Sequence, residues 1–351
     1  MKQTKKWLIT FLSILLAELL FIAAAVIYVD PFFQYHKPLS WFPYRLENQL
    51  TQNPGMAKNL DYDSVLLGSS MTLRFDTRWF RELFDLETIK LTYNAAYPLD
   101  QATIFEKIDE SDNSLKAVFL GIDITTYCGS PDTRAYPLQT YLYDQNYFND
   151  LEYLFNKDVL IQYLMTPILK GQKEADSFHT IYNKYYNPAD YSRDIALANY
   201  HPLTEREPVP AKRDAYLDNL RENMTLHILP YLEKHSDVRF YIFFPPYSIL
   251  FWHDAMQKNN VAARMAEYEC LVELLAQYPN VELYFFAGDE EIITNLDNYT
   301  DYTHFSQEIS RLLTQYMAEG TDRITLDNYK EKIQALQQLA ENYDYGQWNL
   351  P

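Results

Sequence analysis

Two short stretches of this chain hold residue types that can do chemistry together. Residues 65–72 read VLLGSSMT, an apolar run that ends at Gly68 and delivers Ser69 and Ser70 side by side. Residues 299–306 read YTDYTHFS, with Asp301 three positions before His304. A serine on a sharp strand-to-helix turn is exposed because the backbone reverses there, and the amides around it can stabilise a developing oxyanion. Gly68 supplies the backbone freedom for such a turn. A serine hydroxyl is a nucleophile only when a base takes its proton. Within a single turn, a carboxylate three residues before a histidine can hold Nδ1–H and leave Nε2 outward, the orientation a general base needs. Taken singly, GSS reads as a turn with a serine helix cap, and Asp-x-x-His as a cap beside a surface histidine. Taken together they predict a unit in which Ser70 is the nucleophile, His304 the base and Asp301 the carboxylate that orients it. His253, in FFPPYSILFWHD, is a further but poorly placed candidate base.

The pairing gains force from the elements that carry it. Five short β-branched or aromatic runs recur after residue 60: Ser64–Leu67, Thr88–Tyr93, Ala117–Gly121, Arg239–Phe244 and Val281–Phe286. Each has the length and composition of a buried parallel strand. Helical spacing appears between and after them, at Thr77–Phe84, Gln101–Asp109, Asp214–Lys234, Asp254–Gln277 and Gln307–Met317, with a last amphipathic helix at Ile324–Tyr345. Strands alternating with helices predict a doubly wound α/β fold, a three-layer α/β/α sandwich around a five-stranded parallel sheet of flavodoxin-like order. Sites in such sheets gather at the carboxyl ends of strands. Ser70 follows the first strand and Asp301–His304 follows the last.

The chain before residue 61 is different in kind. After MKQTKK comes Trp7–Val29, 23 residues with one charge, Glu18. At about 1.5 Å rise per residue this run crosses a hydrocarbon core of about 30 Å, and lysines 2, 5 and 6 predict a cytoplasmic residue 1–6 segment with the rest outside the cell. A cleaved signal peptide is the competing reading, since Ala23-Ala24-Ala25 resembles a cleavage site, but the run is longer than a signal core and continues past those alanines. Glu18, at bilayer depth, reads either as a contact with a multi-span membrane partner or as a tolerated protonated side chain. Residues 30–60, rich in Pro and aromatics, read as an extended connector. The domain then spans 61–320, followed by a C-terminal helix and tail over 321–351.

Residues 125–213 interrupt the alternation with a tyrosine-rich insertion that includes Tyr136, Tyr143, Tyr153, Tyr163, Tyr182, Tyr185, Tyr186, Tyr191 and Tyr200. Tyrosines of this density suit a sugar, polymer or protein surface, or a small core that covers the sheet. With 30 Lys plus Arg against 48 Asp plus Glu, a formal charge of -18 and no basic stripe, nucleic acid is not an expected partner. Cys128 and Cys270 match neither a disulfide framework nor a metal-ligand spacing and read as small buried residues.

The pattern over roughly residues 61–318 resembles the SGNH (GDSL-type) hydrolase superfamily, whose nucleophilic serine lies just after the first strand and whose Asp-x-x-His lies near the C-terminus. It is similar above all to the membrane-anchored DltD-like branch, with its N-terminal anchor, GSS turn and Pro-Pro pair, here Pro245-Pro246. The resemblance implies an acyl-Ser70 intermediate and action outside the cell on acyl (acetyl or D-alanyl) esters of a cell-envelope polysaccharide or teichoic acid. It implies a multi-span membrane-bound O-acyltransferase as partner, and no metal or organic cofactor. The chain departs from the family in having Ser69 where the signature has Asp, no glycine in the block Tyr93-Asn94-Ala95-Ala96-Tyr97, and Asp123 where the third block has Asn. Oxyanion donors are therefore expected from the amides of Ser70 and of Ala95 or Ala96, with Asn94 as a further donor. Asp123 is protonated, binds something else or is structural. A non-catalytic accessory protein that binds polymer or a membrane acyltransferase is the alternative reading.

Overall fold

The computed structural model describes residues 2–172, 174–183, 186–203 and 213–348; Tyr185 and the end of the tail lie outside them. The chain opens with one helix, α1 (Lys2–Val29), long and apolar enough to cross a membrane and exposed along nearly all of its length. The rest is an α/β fold. Strands β1 (Ser64–Leu67), β2 (Thr88–Lys90), β3 (Ala117–Gly121), β4 (Arg239–Phe244), β5 (Val281–Phe285) and β6 (Arg323–Ile324) form one sheet in the order β2-β1-β3-β4-β5-β6. Neighbours from β2 to β5 run parallel, in registers such as Val65 beside Ile89 and Phe119 beside Tyr241. The sheet therefore has six strands and not the predicted five. The sixth is antiparallel and pairs Ile324 with Leu283, which takes the start of the expected last helix into the sheet and leaves Tyr329–Asn342 helical.

Every residue of β1 and β3 is buried, and so is the carboxyl half of β4, as the sequence pattern requires for strands covered on both faces. Helices follow β1, β2 and β3 onto the sheet, beginning with α3 (Arg78–Phe84) and α4 (Pro98–Asp109). The run expected as one helix over Asp254–Gln277 is two, Ile249–Gln257 and Val261–Leu275, broken where Asn259 turns left-handed with φ 50°. The expected helix over Asp214–Lys234 is regular to Asn223, then widens to a π-helical turn at Met224–Ile228 before continuing as Leu229–Lys234. Pro230 stands just past the wide turn and cannot donate to the ladder, which accounts for the widening.

The connector is not extended throughout. Gln49–Asn59 forms α2, which starts on an Asn48 cap and packs against α4. Pro54 and Gly55 lie inside this helix, and Gly55 is required there because a Cβ would lie 2.1 Å from the Phe32 carbonyl oxygen. The tyrosine-rich insertion builds a small core from Leu142, Tyr153, Val159 and Tyr163, shared with Val26 and Phe32. Tyr143 donates to the Leu50 carbonyl, Tyr182 to Asn53 and Tyr153 to Asp30, so its tyrosines clamp it to the connector. Both cysteines are free and buried.

Candidate active site

Ser70 is positioned by the way β1 stops. Gly68 takes φ 147°, where a Cβ would lie 2.7 Å from Thr72 Cγ2, so the position requires glycine. The Gly68 carbonyl still accepts from the Tyr93 amide, and the chain then turns into a single 3-10 turn over Ser70–Thr72. No long helix follows directly, as the nucleophile-turn reading implied; α3 begins only at Arg78. The turn is held from several sides. Buried Ser69 accepts from the Met71 amide and donates to Asp123 Oδ2 at 3.0 Å. Thr72 Oγ1 sits 2.7 Å from Thr92 Oγ1, just past the end of β2. Lys90, fully buried, donates to the carbonyls of Leu73 and Phe75 at 2.7 and 2.8 Å. Burial pulls the Lys90 pKa down to about 7, with nearby Asp76 opposing the shift and Arg74 adding to it.

The histidine arrives on a loop just as closely braced. Tyr299 and Phe305 pair across it, the Thr300 amide donates to the His304 carbonyl, and Tyr299 donates its hydroxyl to the carbonyl of Pro246 after β4. Inside the loop, Asp301 Oδ1 accepts the amides of Thr303 and His304, each at 2.7 Å. Its other oxygen, Oδ2, lies 2.7 Å from His304 Nδ1, and His304 Nε2 lies 2.8 Å from Ser70 Oγ. The structure therefore brings together Ser70, His304 and Asp301 from loops after β1 and β5, Ser70 and His304 being 234 residues apart in the chain, in the order a nucleophile, base and orienting carboxylate require.

Electrostatics follow from that chain of bonds. Burial works against charge on Asp301, but the hydrogen bond and positive charge of His304 and the two loop amides hold its pKa down at about 2. Burial also works against charge on His304, yet the bond to Asp301 and the negative charges of Asp301 and Asp123 outweigh it and raise the imidazole pKa above its ordinary value. Asp301 thus stays anionic and fixes the neutral imidazole with its proton on Nδ1, leaving Nε2 free to accept from Ser70.

Among the expected oxyanion donors the structure makes a selection. The Ala96 amide is spent on the Tyr93 carbonyl, and the Asn94 amide on Gln49 Oε1 at 2.8 Å, so neither is available. Ala95 adopts φ 55°, the left-handed conformation that glycine ordinarily supplies. Among the described residues, the Ser70 and Ala95 amides and Asn94 Nδ2 have no hydrogen-bond partner. Asp123 is no donor: buried at the end of β3, it accepts from Ser69, from Tyr247 and twice from Thr125. His253 takes no part in this chain of bonds, with Nδ1 on Tyr200 and Nε2 on Gln257.

Ser70, His304, Arg74, Asn94, Thr300 and Phe305 line a cavity of about 260 Å³. It adjoins a second of about 400 Å³, sharing Leu73 and Asn94 with it and walled by residues 46–50, Tyr93, Tyr136 and Tyr182. The two thus lie side by side between the serine and the connector. Arg74 is the cation of the first, and sequence reasoning missed it. Its Nε and Nη1 donate to Tyr191 and Asn183 of the insertion, and its guanidinium lies over the Tyr186 ring at 5.3 Å. Among the described residues no carboxylate pairs with it, so its charge remains available to an anionic group in that cavity. The signal that could have found Arg74 is its place four residues after Ser70, just past the turn that presents the serine. Gln49 and Lys90 carry no comparable signal. Among the described residues no group of three or more His, Cys, Asp or Glu side chains is arranged to hold a metal ion.

No protein-family model matches this chain, and no curated protein matches it. Among solved structures the chain is similar to a protein from Streptococcus pneumonia provisionally described as a platelet activating factor. The two share 10% identity over 78% of this chain and 89% of that chain, with a TM-score of 0.39.

Proposed function

We propose that this chain is an SGNH-type serine esterase or acyltransferase of the DltD-like, flavodoxin-ordered α/β/α kind. It would be anchored by α1 and act outside the cell on acetyl or D-alanyl esters of a cell-envelope polysaccharide or teichoic acid. The observation that carries the reading is the hydrogen-bonded chain from Ser70 Oγ through His304 to Asp301, with bonds of 2.8 and 2.7 Å. Ser70 Oγ attacks the ester carbonyl while its proton passes to His304 Nε2. The Ser70 and Ala95 amides, with Asn94 Nδ2, hold the oxyanion. Collapse breaks the bond to the alkoxy oxygen, which leaves with the proton from His304 and gives acyl-Ser70. An acceptor hydroxyl, or water, then loses its proton to His304 and attacks the acyl carbon; collapse breaks the acyl bond to Ser70 Oγ, which takes that proton back from His304. The adjoining cavity, lined by Asn94, Tyr93, Tyr136 and Tyr182, has the aromatic and polar walls that suit a sugar chain.

Reaction of the full-length protein with a fluorophosphonate probe tests the reading. The expected result is labelling that disappears in Ser70→Ala and persists in Ser69→Ala; an unlabelled wild-type protein across pH 6 to 9 would favour the accessory-protein alternative. Glu18, exposed on α1, is the contact we propose for a membrane-bound O-acyltransferase. Glu18→Leu is then expected to keep full labelling but lose co-purification with that partner, and undiminished co-purification would remove Glu18 from the interface.

A further inference from the structure

The strongest unexplained feature outside the catalytic cavity is an apolar surface on the insertion, at the end of α1. Residues 147–169 run through a short helix at Leu151–Leu154, a π-helical stretch at Val159–Met165 and a last turn at Thr166–Leu169. One side of this segment is packed. Tyr153, Val159 and Tyr163 form a small core with Val26 of α1 and with Phe32, whose ring stacks on Tyr153 at 5.3 Å and meets Tyr163 edge-on at 4.9 Å. Further apolar residues of the segment are exposed, alongside charged Glu152, Lys157 and Asp158. Ile161, Met165, Ile168 and Leu169 recur at helical spacing among them, Phe148 and Leu151 extend the set, and Phe148 and Leu169 are 91% and 76% exposed. Burying one apolar face accounts for Val159, Tyr163 and Pro167; it does not account for a second apolar face on the same segment, and exposed patches of this kind mark an interaction surface.

We propose that this second face is immersed in the membrane leaflet that α1 leaves at Val29, so that the protein rests on the bilayer as well as crossing it. The inference rests on the reading of α1 as a membrane-crossing helix. Three observations select lipid as the occupant. The patch is continuous with the exposed apolar end of α1, and the two share one small core, so bilayer is present at that level wherever α1 spans. Beside it, exposed Tyr28 and Trp41 lie 6.3 Å apart, an aromatic pair of the sort that collects at the headgroup level. The joint is also rigid. Asp30, with φ 48° and a fully buried carboxylate, accepts the amides of Gln34, Tyr35 and His36 and the Tyr153 hydroxyl, so the insertion cannot swing away from the helix. An amphipathic segment held in this way sinks its apolar face roughly 5–10 Å into the headgroup and acyl boundary. The consequence is a catalytic cavity held at a fixed height and orientation above the membrane.

Spin-label accessibility in the full-length protein, reconstituted into vesicles of phosphatidylcholine and phosphatidylglycerol, tests the proposal. Nitroxides are placed at Leu16→Cys, Phe148→Cys, Ile168→Cys and Leu326→Cys, the two native cysteines being buried. The oxygen-to-nickel accessibility ratio is expected to be several-fold higher at Phe148 and Ile168 than at exposed Leu326, approaching that at Leu16. Water-like ratios at Phe148 and Ile168 with a lipid-like Leu16 would overturn the proposal and leave the anchor standing. A water-like Leu16 would overturn the anchor reading and the proposal with it. Shielding of Ile168 from both oxygen and nickel would assign the face to contact between protein copies and overturn lipid as the occupant.

Discussion

His304→Ala is expected to lower ester turnover by about 10⁶-fold, and Asp301→Asn by about 10⁴-fold, the losses that follow removal of the base or its orienting carboxylate from a unit that acts as one. The two variants differ most in their pH dependence. Only neutral His304 can accept the Ser70 proton, so the activity of the native protein falls as pH drops through the imidazole pKa. Asp301 and Asp123 raise that pKa above the ordinary histidine value, so the acid limb lies above about 6.5. Asparagine at 301 removes the main raising influence and leaves the opposing effect of burial. The residual activity of Asp301→Asn is therefore expected to persist to lower pH than that of the native protein. Rates of fluorophosphonate labelling and of turnover of an activated acetyl ester, each followed from pH 5 to 9, check this. An acid limb that stays where it was would mean that Asp301 does not set the imidazole's charge.

Much of this site was legible because each half lies at a strand end that the apolar pattern defines well. β1, β3 and β4 begin and end at the residues expected from their apolar runs, so Gly68-Ser69-Ser70 could be placed at a carboxyl edge before any contact was known. The Asp301–His304 pair is local, since both the ring bond and the amide bonds close within four residues. What was not legible depends on tertiary contact or on conformation that residue type conceals. β6 is two residues long and carries no periodicity. α2 contains Pro54 and Gly55, and the glycine answers a close approach to Phe32 and Phe33. The block Tyr93–Tyr97 holds no glycine, and residue type alone does not show that Ala95 takes the left-handed conformation that glycine ordinarily supplies. A non-glycine residue in that region is held by its surroundings at a cost of order 1–3 kcal/mol, and here Gln49 fixes Asn94 while the Tyr93–Ala96 turn closes around it.

Asp123 is the case where structure answers a question the sequence posed, and its loss is expected to destabilise the fold. Its carboxylate is 7% exposed and accepts from Ser69 Oγ at 3.0 Å, Tyr247 OH at 2.5 Å, and the amide and hydroxyl of Thr125 at 3.0 and 2.6 Å. Burial, reinforced by the charge of Asp123, keeps the Tyr247 hydroxyl protonated and donating far above its ordinary range. Of the alternatives, the bonds favour the structural one: Asp123 holds the serine turn to the ends of β3 and β4. Asp123→Ala strips a charged acceptor from two buried hydroxyls, each such bond being worth about 1.5–3 kcal/mol. Allowing for partial relaxation, the expected loss is about 3–5 kcal/mol in chemical denaturation, with slower labelling of Ser70 because Ser69 no longer anchors the turn. Asp123→Asn keeps one acceptor oxygen and the shape, so it is expected to lose less stability while moving the His304 acid limb to lower pH, since one of the charges that raise the imidazole pKa is gone. A cycle with Tyr247→Phe separates support from electrostatics. If Asp123 acts through these bonds, the alanine penalty shrinks by 1 kcal/mol or more, about what an unsatisfied buried hydroxyl costs, once the tyrosine hydroxyl is already absent. Fully additive penalties, or an Asp123→Ala protein as stable as the native one, would show that the carboxylate does not hold the turn.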